Sequence, residues 1–141
     1  MFFGEFEYRV DDKGRVPIPP KFRVELRDGV VLTPGVEHCI TAYPLAEWKK
    51  LAATLITGAV ATAKIRTLNR AMFANAYHLA TDGQGRVALP YQLREHADIS
   101  AEAVVVGANS YFEIWDNACW QEERLKSQEQ AWQIIESLEK R

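Results

Sequence analysis

The chain carries one polar and apolar pattern twice, and this duplication limits its architecture more than any other feature. Met1-Phe2…Phe6…Asp11-Asp12-Lys13-Gly14-Arg15-Val16-Pro17-Ile18-Pro19-Pro20-Lys21-Phe22-Arg23 returns 71 positions later as Met72-Phe73…Tyr77…Asp82-Gly83-Gln84-Gly85-Arg86-Val87-Ala88-Leu89-Pro90-Tyr91-Gln92-Leu93-Arg94. Asp, Gly, Arg, Val, Pro and the closing Arg coincide without a gap, and Leu93 stands in for Phe22. The period is too long for a solenoid unit, and there are only two copies. The pattern therefore predicts two small halves paired about a pseudo-two-fold axis. Because an Asp and an Arg are duplicated along with the apolar positions, it also points to a site.

Each half reads as strand, turn, strand, short helix, strand pair and long helix. Phe6, Tyr8 and Val10 alternate with Glu7 and Arg9, the period-two pattern of a half-buried strand. Asp11 to Gly14 supplies turn chemistry, with a glycine free to take a positive φ. Val16 and Ile18 then face one way, with Arg15 and Pro17 facing the other, until Pro19-Pro20 ends the strand. A short helix is expected from Lys21 to about Leu26. Val30 to Leu32 and Cys39 to Tyr43 read as a strand pair around Pro34-Gly35. Pro44 suits the first position of a helix bearing Leu45, Trp48, Leu51 and Leu55, which Thr57-Gly58 is expected to break. Lys64 to Met72 reads as a further helix, with Ile65, Leu68 and Met72 on one side.

The second half repeats the plan. Tyr77, Leu79 and Thr81 share a face, Val87 and Leu89 follow the turn, and a short helix spans Tyr91 to His96. Val104 to Val106 and Phe112 to Trp115 form a strand pair around Asn109-Ser110. Asp116 is placed to cap a final helix of about 20 residues, where Trp120 answers Trp48. Its last turns carry Ala131, Ile134, Ile135 and Leu138 on one stripe, beside Trp132. That stripe packs on its own chain or covers a neighbouring subunit. The expected divisions are 1–50, a helical connector 51–75, 76–122, and a C-terminal extension 123–141.

Composition narrows the class. Apolar residues make up 48% of the 141 and charged residues 26%, which is globular and not disordered. The N-terminus lacks the basic region of a signal peptide, and no apolar stretch approaches a membrane span, so a soluble protein without a membrane partner is expected. Cys39 and Cys119 fall at unmatched points and read as reduced, buried, small hydrophobes. Net charge is −2, from 17 Lys and Arg against 19 Asp and Glu, which taken alone disfavours a polyanion partner. The charge is segregated, however. Arg9, Lys13, Arg15, Lys21, Arg23 and Arg27 fall in the first copy, while Glu122, Glu123, Glu129, Glu136 and Glu139 gather at the end.

The Asp-x-x-Gly-Arg loops are the strongest chemical signal. An exposed Asp11–Arg15 or Asp82–Arg86 pair is worth only about 0–1 kcal/mol, a weak reason to have it twice. A rigid loop presenting a guanidinium fork is better suited to grip phosphate or the O6/N7 edge of guanine. Rival signals are poorer. Gly83-Gln84-Gly85 lacks the Lys-Ser/Thr and long helix of a phosphate loop. His38, His78 and His96 have no metal-ligand spacing, and no Ser or Cys sits in a nucleophile elbow. The tryptophans and the N-terminal aromatic run are expected in the core. No cofactor, metal or catalytic residue is expected, although a small-barrel enzyme using Asp11, His78 or Asp82 and a protein-binding assembly or antitoxin-like module remain as alternatives.

The paired motif, the opening Met1-Phe2…Gly4-Glu5, the Tyr43-Pro44…Trp48 helix entry and the run Arg70…Phe73…Ala76 resemble the MraZ family. These proteins are tandem members of the SpoVT/AbrB-like swapped-hairpin superfamily. The resemblance implies an α+β fold of two swapped-hairpin half-barrels sharing a core, with flanking helices. It implies a transcriptional regulator that binds direct-repeat promoter boxes upstream of the division and cell-wall genes. It also implies a ring-shaped homo-oligomer located in the cytoplasm on the nucleoid. The boxes are expected to be G-rich, since Arg matches the guanine edge. On this reading Arg15 and Arg86 contact double-stranded DNA, supported by Lys13, Arg9, Lys21, Arg23, Gln84 and Arg94. Asp11, Gly14, Asp82 and Gly85 form the structural turns. The second copy has Gln84 for Lys13, Ala88 for Pro17 and Tyr91 for Pro20, so the first is expected to make more phosphate contacts.

Overall fold

The computed structural model describes residues 1–55 and 62–140. The expected helix break at Thr57-Gly58 lies outside the described residues. The first half forms β1 (Glu5–Arg9), β2 (Arg15–Pro17), α1 (Pro20–Arg23) with a 3-10 turn (Val24–Leu26), β3 (Val30–Pro34), β4 (Ile40–Pro44) and α2 (Leu45–Thr54). A connecting helix α3 (Ala63–Phe73) leads to β5 (Tyr77–Leu79), β6 (Arg86–Ala88), α4 (Tyr91–His96), β7 (Glu102–Gly107), β8 (Phe112–Asp116) and α5 (Asn117–Glu139).

The halves exchange their first strands. One antiparallel sheet has the order β1-β7-β8-β4-β3-β5, so β1 pairs with β7 of the second half and β5 with β3 of the first. A separate two-stranded sheet joins β2 to β6. Replacing each strand by its duplicate turns the six-strand order into its own reverse, which is the signature of a pseudo-two-fold. The axis is marked twice. Val16 pairs directly with its own duplicate Val87. Thr41 pairs with Glu113, and each stands four residues before the first residue of its helix. The fold is thus α+β with swapped hairpins, and no barrel closes.

Both sheets drain into one core. Val16 and Val87 from the small sheet, and Ile18 and Leu89 just beyond its strands, cluster with Leu32, Ile40, Ala42, Val105 and Ile114 from the large one. Phe2, bridged to Asn109 beyond β7, brings the N-terminus into this core. Its ring meets Phe22 edge-on at 4.8 Å and Phe112 at 5.1 Å. Such aromatic pairs add about 0.5–1.5 kcal/mol beyond area burial.

The opposite face of the large sheet is clad by helices at equivalent places. Tyr43 stacks on Trp48 at 5.5 Å, and Trp115 on Trp120 at 5.6 Å. Two expectations need correction here. Trp132 is 73% exposed and Phe3 66% exposed, so neither belongs to the core. Pro44 occupies the N-cap and not the first helical position, and Asp116, at the N-cap as expected, makes no capping hydrogen bond through its side chain. Cys39 is buried and Cys119 half-buried, and both are free thiols. Desolvation, reinforced by the Glu113 carboxylate, pushes the Cys39 thiol pKa up, so this residue behaves as a small hydrophobe. No helix among the described residues is long and apolar enough to cross a membrane.

Candidate nucleic-acid interface

The two Asp-x-x-Gly-Arg loops adopt the same hydrogen-bonded turn. In the first, Asp11 Oδ1 accepts from the Lys13 amide at 3.0 Å and the Arg15 amide at 2.8 Å, while Arg15 Nε donates to Asp11 Oδ2 at 2.6 Å. In the second, Asp82 Oδ1 accepts from the Gln84 and Arg86 amides, both at 2.9 Å, and Arg86 Nε donates to Asp82 Oδ2 at 2.9 Å. Backbone bonds close each turn, Gly14 donating to Asp11 and Gly85 to Asp82. The Asp is therefore a clasp, collecting loop amides and orienting the arginine together.

The same contacts set the charge state of each Asp. The Arg15 amide, helped by the Arg15 side chain and the Lys13 amide against partial desolvation, holds the Asp11 carboxyl below its ordinary pKa. The Arg86 amide does the same for Asp82, helped by the Gln84 amide and the Arg86 side chain. Both clasps are ionised at neutral pH.

Pairing of β2 with β6 puts the two arginines on one surface. Arg15 sits opposite Ala88 and Arg86 opposite Pro17, with Val16 and Val87 turned inward. Arg86 Nη1 reaches across to 3.8 Å from Asp11 Oδ2, so Asp11 lies beside both guanidinium groups. Each arginine spends its Nε on its own Asp. The Nη edge of Arg15 has no hydrogen-bond acceptor among the described residues. The result is a pair of half-exposed, pre-oriented forks on a rigid two-strand platform. This is the geometry that engages phosphate oxygens or a guanine edge at little ordering cost.

The glycines show how the halves lock together. Gly14 has φ +76° and Gly85 φ +73°, the left-handed region. Gly85 accepts through its carbonyl from the Ile18 amide of the other half, and Gly14 from the Leu89 amide, both at 2.9 Å. Over each glycine lies an arginine from the opposite half: a Cβ on Gly85 would come within 2.2 Å of Arg23 Cζ, and one on Gly14 within 2.8 Å of Arg94 Cζ. Arg23 Nε donates to Ile18 O at 2.9 Å and Arg94 Nε to Leu89 O at 3.1 Å. These arginines brace the loop of the other copy. The duplication flagged both residues, but a contact between halves has no local sequence signal.

The remaining residues are spread around this platform. Lys13 and Gln84 are exposed at the loop tips, and Lys21 is exposed on α1. Arg9 lies on β1 opposite Glu102, in a shallow hollow with Glu7 and Asn117. Tyr91, exposed at the start of α4, lies under the Arg94 guanidinium at 5.8 Å and has no equivalent in the first half, where Pro20 stands. His38 and His96 stack at 5.9 Å, and His78 meets the Asp28 carbonyl at 2.8 Å, so all three histidines are used in packing.

Known proteins match the chain along its whole length. The family model "MraZ protein, putative antitoxin-like" matches it twice, at residues 1–71 and 72–137, in step with the strand exchange. Two proteins from strains of Dehalococcoides mccartyi, each named "Transcriptional regulator MraZ", are 56% and 54% identical over 140 residues, covering 99% of both chains. A protein of the same name from Herpetosiphon aurantiacus is 46% identical over 121 residues, 86% of this chain and 85% of its own. A chain that folds as two interlocked copies of one motif, with both copies matched in register and relatives this similar end to end, belongs to the MraZ family.

Proposed function

We propose that the chain is a DNA-binding transcriptional regulator that reads promoter boxes through its paired Asp-x-x-Gly-Arg loops. The observation that carries this reading is the pair of clasped arginines, Arg15 and Arg86, side by side on the β2–β6 platform. The names borne by the relatives support it. In this reading Arg15 and Arg86 contact base edges, and Lys13, Gln84 and Lys21 contact the backbone. Arg23 and Arg94 hold the loops while offering their remaining N–H groups, and Arg9 lies at the margin. The protein acts without catalysis or cofactor.

A net charge of −2 makes one pair of loops a weak DNA ligand. Affinity then comes from several chains engaging together, in a ring of identical copies on repeated boxes in direct orientation. We place those boxes upstream of the division and cell-wall genes and the protein on the nucleoid. Segments 1–50 and 76–122 serve as the two DNA-facing units, 51–75 as the connector and 123–141 as the extension used in assembly.

The test is a salt titration of binding to the protein's own promoter region, with wild type and an Arg15→Ala/Arg86→Ala variant. Wild-type affinity should fall steeply, with a log–log slope of about −0.9 per phosphate neutralised. The variant should lose about 1–3 kcal/mol per engaged contact. It should melt close to wild type, since each removed ion pair is worth only ~0–1 kcal/mol. Equal binding by the two proteins would refute the reading. The antitoxin likeness in the family description favours a second function, in which the same loops bind another protein. That function predicts no steep salt dependence on DNA.

A further inference from the structure

The segment that leaves β6 runs along the first loop, which belongs to the opposite half. Ala88 pairs with Arg15, the Leu89 amide donates to the Gly14 carbonyl at 2.9 Å, and Tyr91 opens α4 two residues later. The Arg94 guanidinium fills the space between, covering Gly14 and lying 5.8 Å from the centre of the Tyr91 ring. Its Nε is held in turn by the Leu89 carbonyl at 3.1 Å. Tyr91 is thus fixed beside the loop that carries Lys13, with one side of its ring against a cation. It is 64% exposed, and its hydroxyl has no hydrogen-bond partner among the described residues.

The second loop has the same surroundings with different chemistry. Pro17 pairs with Arg86, the Ile18 amide donates to the Gly85 carbonyl at 2.9 Å, and α1 opens at Pro20. Arg23 covers Gly85 as Arg94 covers Gly14. This crossing divides the lysines that the sequence gathers in one copy. Lys13 sits on the first loop, whereas Lys21 sits on the helix whose Arg23 braces the second. Each loop therefore adjoins a lysine, and the lysines do not distinguish the two. Tyr91 against Pro20 does. One is an exposed ring with a free hydroxyl donor, and the other has no donor at all.

We propose that Tyr91 donates its hydroxyl hydrogen to a DNA phosphate beside the first loop, and so fixes which way round the chain sits on each box. This rests on the reading of the paired loops as the DNA-binding element. A chain with an internal pseudo-two-fold fits a box in two opposite orientations, and only groups that differ between the halves separate them. Arg15 and Arg86 stand together on the β2–β6 platform, where they are placed to meet base edges. Tyr91 lies past the loop, at the margin, where hydroxyl groups bond to the backbone and set register and orientation without reading sequence.

The experiment uses Tyr91→Phe, which keeps the ring under Arg94 and removes only the donor, and the exchange Tyr91→Pro/Pro20→Tyr. Both positions open a helix, where proline is well tolerated, so both variants should keep the wild-type circular dichroism spectrum. Binding is measured on a duplex of the protein's own promoter region. It is measured again with a neutral methylphosphonate replacing one phosphate at a time, at the same place in every box. At one phosphate on one flank, the replacement should weaken wild type roughly tenfold per engaged box, the worth of a hydrogen bond to a charged group. Tyr91→Phe should already be weaker by about that factor on every box sequence, and should lose nothing more at that phosphate. The exchange variant should move the sensitive phosphate to the other flank. Tyr91→Phe binding as tightly as wild type, an equal further loss in both proteins, or a sensitive phosphate that stays in place in the exchange variant overturns the Tyr91 contact while leaving DNA reading by the loops standing. A wild-type chain that does not bind the promoter duplex overturns both.

Discussion

Gly14 and Gly85 link sequence and function at single residues, because each is needed for two separate reasons. Their φ values of +76° and +73° cost an L side chain about 1–2 kcal/mol. Their Cα faces are also covered by Arg94 and Arg23 from the opposite half. Gly14→Ala should therefore destabilise the fold by at least that amount in urea unfolding. Gly85→Ala should cost more, since its Cβ would meet Arg23 at 2.2 Å, against 2.8 Å to Arg94 at Gly14, and would push Arg23 off the Ile18 carbonyl. Equal, near-zero effects at both positions would show that the brace is not structural. The turn itself was legible in the sequence, because Asp collects nearby amides and glycine takes the left-handed angle within five residues. The bracing roles of Arg23 and Arg94 were not, because their partners come from the other copy.

Strands and helices followed their local patterns closely. Alternation at Phe6 and Tyr8, the Pro19-Pro20 stop and the helical spacing of Ile65, Leu68 and Met72 each correspond to an element found at that place. Trp132 was misplaced because an apolar stripe is periodic whether its own chain or another covers it. The pairing of strands makes a prediction at this scale. Among the described residues β1 pairs with β7 alone, and β3 takes β5 from the second half. A fragment of residues 1–55 should therefore have no folded monomer. It should fold only as a dimer in which two first halves exchange β1, with a melting temperature that rises with concentration. A fragment that is monomeric by sedimentation and melts cooperatively would contradict the exchange.

For the whole molecule, the two-fold relation is already spent inside one chain, through Val16 on Val87. A symmetric dimer reading a palindrome is then unnecessary. If chains associate head-to-tail, as the proposed ring requires, neighbours present the same loops in the same direction. Operator boxes should accordingly be direct repeats spaced about one helical turn, ~10–10.5 bp. Inverting one internal box, or inserting half a turn between boxes, should sharply weaken binding to multi-box DNA. Equally tight binding to both altered operators would rule out a phased, directional array.

The duplication, the clasped turns and the α+β class were all present in the linear sequence, because each arises from contacts within a few residues or from comparing one segment with its repeat. The exchange of β1 and β5, the placing of Arg15 beside Arg86 with Asp11 near both, and the bracing of each loop by the opposite half were decided in three dimensions. Strand alternation specifies which face of a strand is buried, but it carries no information about which partner lies beside it. That choice depends on two halves closing around one shared core, and only the folded chain brings them together.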